Sequence, residues 1–390
     1  MDFKLNDEQR LIRKAARDFA FKELEPNARE WEETATFPRE VFKKMGQLDF
    51  TVLYVPEEYN GTGVGRLTAC LIFEELAKGC FSTAVCLTVH NMVTNLIYQY
   101  GTEEQRERWV MPLAAGEKLA AYSLTEADAG SDAAALSASA MKTDGGYVLN
   151  GTKLFVTSGG VADIYAVMMR TDSEQKERAR GISAFVVEKG TKGFSFGHHE
   201  PKMGMNSSPT TELNFSDCFI PDENLLGDAG RGFNMALTAL NGGRISIGAC
   251  SVGLAQQAMD YALNYAHKRQ QFGRPIVSFQ GLQFLFADLV TEIEAARLMI
   301  YRAAFLMDQG EASVMEAAMA KRLATDTAMR VTTDAVQILG GAGYMKSYPV
   351  EMYMRFAKVA QIFEGTNQIQ RLVIARELTK YKGGKRPDSY

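Results

Sequence analysis

The sequence predicts an α+β fold in three parts: a helical N-terminal domain, a middle antiparallel β-domain and a C-terminal four-helix bundle. Three observations lead to it. Apolar residues recur at helical spacing to about Gly116, alternate with a period of two between about Lys118 and Leu226, and return to helical spacing from Gly232. A chain of 390 residues is longer than one ordinary core serves, so two or three domains sharing interfaces are expected. With 46% hydrophobic residues it carries the apolar surface to fill them. The expected domains are 1–117, 118–228 and 229–390.

Asn6 can cap a first helix whose apolar face is Leu11, Ile12, Ala15, Ala16 and Phe19. Pro38 and Pro56 punctuate the next stretch, and Gly61, Gly63 and Gly65 read as a turn opening a long apolar helix through Leu71, Ile72 and Leu76. A dinucleotide fingerprint fits these glycines poorly, because no strand precedes them and Glu74 and Glu75 come too early to reach a ribose. In the middle part Tyr147–Leu149, Leu154–Val156, Ile164–Met168, Ile182–Val187 and Glu212–Phe215 read as strands. Asn150-Gly151, between the first two, reads as a tight hairpin turn. Helices are expected near 233–268, 277–308, 311–339 and 349–381, broken by Gly273-Arg274-Pro275, Gly310 and Gly340–Gly343.

Composition narrows the function. A net charge of -4 lacks the basic excess that a phosphate backbone attracts, so no nucleic-acid partner is expected. Cys70, Cys80, Cys86, Cys218 and Cys250 are odd in number and form no CxxC pair, which points to buried free thiols and no metal site. His198 and His199 face opposite ways on an extended segment and read as surface residues. No run of eighteen apolar residues suggests a membrane span, and the start of the chain shows no basic or secretory leader. A soluble bacterial cytoplasmic protein is expected, or a processed mitochondrial matrix protein.

The segment Ala121 to Asp132 crowds Tyr122, Ser123, Thr125, Gly130 and Ser131 where the β-part begins. It can be a plain Asp/Gly/Ser turn, or a loop that wraps a polar heterocycle and offers amides to a phosphate. Together with Asn150–Thr157, Lys268–Gly273, Gln337–Tyr344 and Ile362–Arg371, this segment resembles the signatures of the acyl-CoA dehydrogenase family. The five stretches stand in the family's order and the likeness spans nearly the whole chain.

The resemblance implies that fold, an FAD cofactor, an acyl-CoA substrate and an electron-transfer flavoprotein as electron acceptor. It implies that Tyr122, Leu124, Thr125, Gly130, Ser131, Phe155, Val156 and Thr157 hold the flavin ring and pyrophosphate, with Thr366 and Gln368 also on cofactor positions. Arg269, Phe272, Gln280, Gln337, Ile338, Gly340 and Gly341 would reach the adenosine half of FAD on a neighbouring subunit. That arrangement requires a homo-oligomer, a tetramer built as a dimer of dimers in the family. Read by themselves, Arg269 is a solvated helix end and Gln337 a mid-helix polar residue.

Glu364 falls on the family's catalytic base. The base takes the α-proton of the thioester, and its own amide helps to polarise the thioester carbonyl. Carbon acids are weak, so such a base needs a dry pocket that raises its pKa. Without the resemblance, an acid ahead of Thr366-Asn367 is a helix-cap neighbour favoured by the helix dipole. Ser131, Asn241, Arg244, Phe363, Gly365 and Arg376 fall on substrate-contacting positions, with Arg244 as a charge partner of the base; Arg376 also reads as a surface arginine. Some relatives carry the base just before this arginine, where Gly243 stands here and cannot serve. Asn206–Thr210, Leu240–Ile245 and Leu282–Phe284 are most similar to the isobutyryl-CoA branch and imply a short or branched short acyl group, as in fatty-acid or branched-chain amino-acid breakdown. An oxygen-using acyl-CoA oxidase and a non-catalytic flavin- or CoA-binding assembly protein share the fold and stay open.

Overall fold

The computed structural model describes residues 4–175, 177–311 and 314–380. Residues 312, 313 and 381 of the expected helices, and residues 1–3 and 382–390 of the expected terminal domains, lie outside them.

The N-terminal part is helical because its start signals are satisfied. Helix α1 (Asp7–Phe19) begins with a reciprocal cap, in which the Gln9 amide donates to Asn6 Oδ1 at 2.7 Å and the Asn6 amide to Gln9 Oε1 at 3.1 Å. Ala16 and Phe19 are buried while Leu11 is 69% exposed, so the core-facing stripe is narrower than the spacing suggests. A five-residue π-turn leads into α2 (Glu25–Thr34), followed by α3 (Arg39–Gly46). Gly65 opens α4 (Arg66–Gly79), which packs beside α5 (Phe81–Tyr100), and α4 is buried from Ala69 onward. Two short pieces, α6 (Glu103–Gln105) and α7 (Met111–Ala114), lead out of the helical part.

The middle part is one eight-stranded sheet of β1 (Ala120–Ser123), β2 (Ser139–Thr143), β3 (Gly146–Thr157), β4 (Ile164–Arg170), β5 (Ile182–Glu188), β6 (Phe194–His199), β7 (Thr210–Pro221) and β8 (Leu225–Leu226). The order is β6-β7-β3-β2-β4-β5-β8, with β1 on β4. Most pairs are antiparallel, but β1 and one residue of β2 run parallel to β4. Asn150-Gly151 is not a hairpin turn. It lies inside β3, which stays paired to β7; the register shifts between Leu149 and Gly151, where β7 carries one extra residue as a bulge at Ser216-Asp217. The Asn150 side chain holds this bulge, donating from Nδ2 to Asp217 Oδ1 at 3.2 Å and accepting the Asp217 amide at 2.9 Å. The hairpin turn is Asp144-Gly145, between the paired Thr143 and Gly146, with Gly145 at φ +71°.

The C-terminal bundle comprises α8 (Gly232–Lys268), α9 (Gln280–Asp308), α10 (Val314–Leu339), α11 (Val350–Ala360) and α12 (Asn367–Thr379). A small hairpin of β9 (Gln270–Gln271) and β10 (Arg274–Pro275) follows α8, and Gly310 at φ +72° ends α9. The fourth expected helix is two helices. Glu364 and Gly365 adopt φ +54° and +87°, which no α-helix accommodates, so α11 stops at Ala360 and α12 restarts at Asn367. All five cysteines are buried and unpaired, and His198 and His199 are exposed. No helix of the described residues is long and apolar enough to cross a membrane.

Candidate active site

The break between α11 and α12 is a polar knot tied from below. A left-handed conformation costs a non-glycine residue about 1–2 kcal/mol, so Glu364 stays there only if its surroundings hold it. Gln370 Nε2 donates to the carbonyls of Glu364 (3.1 Å) and Gly365 (2.9 Å), and Lys321 Nζ donates to the Gly365 carbonyl (2.9 Å) and Asn367 Oδ1 (2.9 Å). Asn367 in turn donates to Thr325 Oγ1 and Asp326 Oδ1, at 2.9 and 2.7 Å. Thr366 caps α12 through the Ile369 amide. Gly365 is required twice: its φ is positive, and a Cβ there would meet Gln370 Nε2 at 2.8 Å.

With its backbone pinned, the Glu364 side chain reaches across to α8. A Cβ added to Gly243 would lie 2.8 Å from Glu364 Oε2 and 3.1 Å from Cδ, so the missing side chain of Gly243 is the seat of the carboxylate. Tyr122, from β1, and Arg244 complete the surround. Tyr122 OH, Arg244 Nε and Glu364 Oε2 are buried side-chain atoms without hydrogen-bond partners. Orphans of this kind are rare in folded proteins, and three around one carboxylate mark a place built to meet something else. No ion pair of 4 Å or less joins Arg244 to Glu364; Arg244 Nη1 is spent on Asn241 Oδ1 at 2.8 Å. Arg244 acts on Glu364 through its field, as a charge partner without a direct ion pair. Burial pushes the Glu364 carboxyl up to about 7, against the opposing pull of Arg244 and Lys321. Burial also raises the Tyr122 phenol, helped by the nearby Glu364 charge.

A second cluster adjoins the first along β3. The Leu154 amide donates to the Thr125 carbonyl at 2.8 Å, bringing the loop after β1 against this strand. Between Lys153 and Val156 the register with β7 shifts, and Phe155 takes φ +55° and stands 63% exposed while Val156 is buried. Leu124 is buried and Thr125 and Thr157 half-buried; Gly130 and Ser131 are exposed, and nothing lies within 4 Å of where a Cβ on Gly130 would point. The loop is braced from within by an ion pair that no local sequence pattern signals. Lys153 Nζ, fully buried, donates to Glu126 Oε1 at 2.7 Å, and Glu126 also accepts the amides of Ser137 (2.7 Å) and Ala138 (3.0 Å). Burial drives the Lys153 amine down to about 8 against the pull of Glu126. Burial alone would raise Glu126, but Lys153 and the two amides outweigh it and hold it low. Lys153→Met strands that carboxylate, and we expect it to cost about 3–5 kcal/mol, measured as a lower midpoint in urea unfolding.

Other expected site residues lie elsewhere. Arg269, Phe272 (93% exposed), Gln280, Gln337, Gly340 and Gly341 are exposed, and Ile338 is buried at the end of α10. At about 1.5 Å per residue, Arg269 is roughly 39 Å along α8 from Gly243, too far to share one site within this chain. Arg376 and Gln368 are exposed on α12, and Phe363 is half-buried against the core. The sequence alone assigns no role in the site to Lys321, Thr325, Asn367 or Gln370. The available signal was Lys321 itself, a cation among Ala317, Ala318, Ala320 and Ala324 on the buried side of α10.

The order of parts and the matched motifs agree with sequence comparison. The chain belongs to the acyl-CoA dehydrogenase family: residues 6–117, 121–218 and 230–379 match its N-terminal, middle and C-terminal domains. It is 46% identical, over 97% of its length and all of the relative's, to a short-chain-specific acyl-CoA dehydrogenase of Clostridium acetobutylicum. It is 44% identical to a mitochondrial isobutyryl-CoA dehydrogenase of Dictyostelium discoideum, covering 96% and 90% of the two chains. Among solved structures, butyryl-CoA dehydrogenase from Megasphaera elsdenii superposes with a TM-score of 0.94 at 43% identity, over 97% of this chain and all of that one. A chain solved in work on the electron transferring flavoprotein of Acidaminococcus fermentans gives 0.96 at 46% identity, covering 98% and 100%. An FAD complex of PigA gives 0.93 at 32%, covering 97% and 99%.

Proposed function

We propose that the protein dehydrogenates a short or branched short-chain acyl-CoA to the trans-2-enoyl-CoA, with Glu364 as the base and FAD as cofactor. The carrying observation is the Glu364 carboxyl, seated on Gly243 with an unpartnered buried oxygen. The residues fit a flavin: the bulge at Phe155 presents an aromatic face, Thr125 and Thr157 offer half-buried hydroxyls beside it, and Gly130 leaves open approach to its amide. Bound FAD would supply the acceptor for the substrate's β-hydrogen, taken as hydride. Glu364 takes the α-proton, and the dry surround that raises its pKa makes it a stronger base once ionised. The fields of Arg244 and Lys321 keep the ionised form within reach of neutral pH. Tyr122 OH and Arg244 Nε remain to meet the ligand.

The base must be ionised to act, and its pKa near 7 sets the sign. Flavin reduction rises through pH 7 to a plateau, and falls about tenfold per unit below it; stopped-flow bleaching across pH 5.5–9 measures this.

A short acyl group is favoured by the relatives and by the crowding beside the base. The Arg66 guanidinium lies 3.6 Å over the Tyr54 ring and against Gly242, the residue next to the Glu364 seat. Anaerobic bleaching by propionyl-, butyryl-, isobutyryl-, 2-methylbutyryl-, isovaleryl- and octanoyl-CoA tests it. The four-carbon thioesters should bleach fastest and octanoyl-CoA slowest, and the reverse order would reject the short-chain reading. Electrons are expected to leave to an electron transferring flavoprotein, as the similarity to the Acidaminococcus chain supports. Stoichiometric peroxide in air would instead establish an oxidase. The exposed Phe272 hairpin and its distance along α8 support an assembly, proposed as a tetramer, in which those residues serve a neighbour's cofactor.

A further inference from the structure

Lys321 is fully buried, comes from α10, and is directed at the turn that carries Glu364. Its ammonium ends on the carbonyl of the residue after the base and on Asn367, the first residue of α12. A buried lysine is costly unless its charge is used, and α10 around it is otherwise alanine-rich. We propose that Lys321 is a positioning residue of the reaction: from beneath the turn it pins Gly365 and Asn367, holds Glu364 left-handed, and supplies the positive field under the carboxylate.

The geometry separates this role from that of a spacer. The carbonyls of Glu364 and Gly365 both turn down toward donors, one shared with Gln370 and one with Gln370 and Lys321 together. This leaves the Glu364 side chain to project the other way, onto Gly243. Without Lys321 the Gly365 carbonyl keeps one neutral donor, and nothing charged opposes relaxation of a turn that is strained by its positive φ. The groups facing the carboxylate are Arg244 from α8, Tyr122 from β1 and Lys321 from α10; the lysine in turn feels Glu364 most among the charges, then Arg244, then Asp326 further along α10. Arg244 keeps an unpartnered Nε, whereas Lys321 spends its ammonium on the turn that carries Glu364. Burial lowers the Lys321 amine to about 7, with Glu364 pulling the other way, so the two groups titrate as a pair.

The inference rests on Glu364 being the base, and the test keeps the two apart: the parent must first be bleached by its best acyl-CoA, which decides the base reading without any variant. Lys321→Gln then keeps a donor of similar length but removes the charge. The midpoint of its pH–rate profile for flavin reduction should move up by on the order of one unit, with FAD content unchanged. Lys321→Met, which removes donor and charge, should show the same move and also a lower plateau. Gln370→Leu removes the other donor to the same carbonyls and no charge, so its midpoint should stay at the parent's whatever its plateau does; this holds the test open should the Lys321 variants not fold. An unmoved midpoint in Lys321→Gln, or a Gln370→Leu midpoint moved as far upward, overturns the proposal.

Discussion

Glu364→Gln is expected to yield a protein that still binds FAD but is no longer bleached by any acyl-CoA, with flavin reduction lowered by about 10²–10⁴-fold. The amide fills the same seat on Gly243 and accepts no proton, so loss of rate at retained absorbance isolates the proton transfer. Bleaching at near the parent rate would remove Glu364 from the mechanism. The same variant carries a stability signature. The carboxyl is raised from 4.5 to about 7 in the folded protein, so between those values the unfolded chain holds fewer protons and stability falls as pH rises. Glutamine is free of that penalty. Measured by calorimetry, the Tm of Glu364→Gln relative to the parent should grow from pH 5 to pH 8.

Gly243→Ala should damage the reaction almost as much without touching an ionisable group. The new methyl would sit 2.8 Å from Glu364 Oε2, and the base cannot retreat through its backbone, which Gln370 and Lys321 hold. The carboxylate must swing by about an ångström, a misplacement that costs on the order of 10²-fold in rate. A double variant, Gly243→Glu with Glu364→Gly, brings a carboxylate into the same volume from the helix and should recover part of what Gly243→Ala with Glu364→Gly loses. Equal rates for the two double variants would show that the volume over Gly243 is not where the proton is taken.

What was legible in the sequence was what local chemistry or spacing encodes. Asn6 with Gln9 is a cap that needs nothing beyond the first turn, and the change of period at each end of the sheet comes from which faces are buried. Asn150-Gly151 misled because its hairpin signal is local, whereas β7 keeps pairing past it and Asp144-Gly145 makes the turn. The helix start at Thr366-Asn367 was legible as a cap, but the helical stretch was still expected to run through 349–381, because Ile362, Phe363 and Ile369 continue a helical apolar rhythm through a turn whose shape depends on Lys321 in another helix. Lys153 and Lys321 escaped for the same reason: a lysine reads as surface until the fold shows a carboxylate or carbonyl waiting for it. Glu364 itself was visible through the family motif. A raised pKa was expected of such a base, but its seat on Gly243 and its strained backbone were not legible, since they depend on Gly243 in α8 and on Lys321 in α10 as well as on the neighbouring Gln370.

The Glu126–Lys153 pair has a bearing on how the holoenzyme is made. Because that pair and the Ser137 and Ala138 amides tie the two ends of the Leu124–Ala138 loop to each other and to β3, part of the loop's conformational entropy is lost during folding and not at cofactor uptake. Flavin would then enter a finished socket, so the stripped protein should reload on mixing with FAD without a slow refolding phase, and the cell could replace a lost cofactor without replacing the chain.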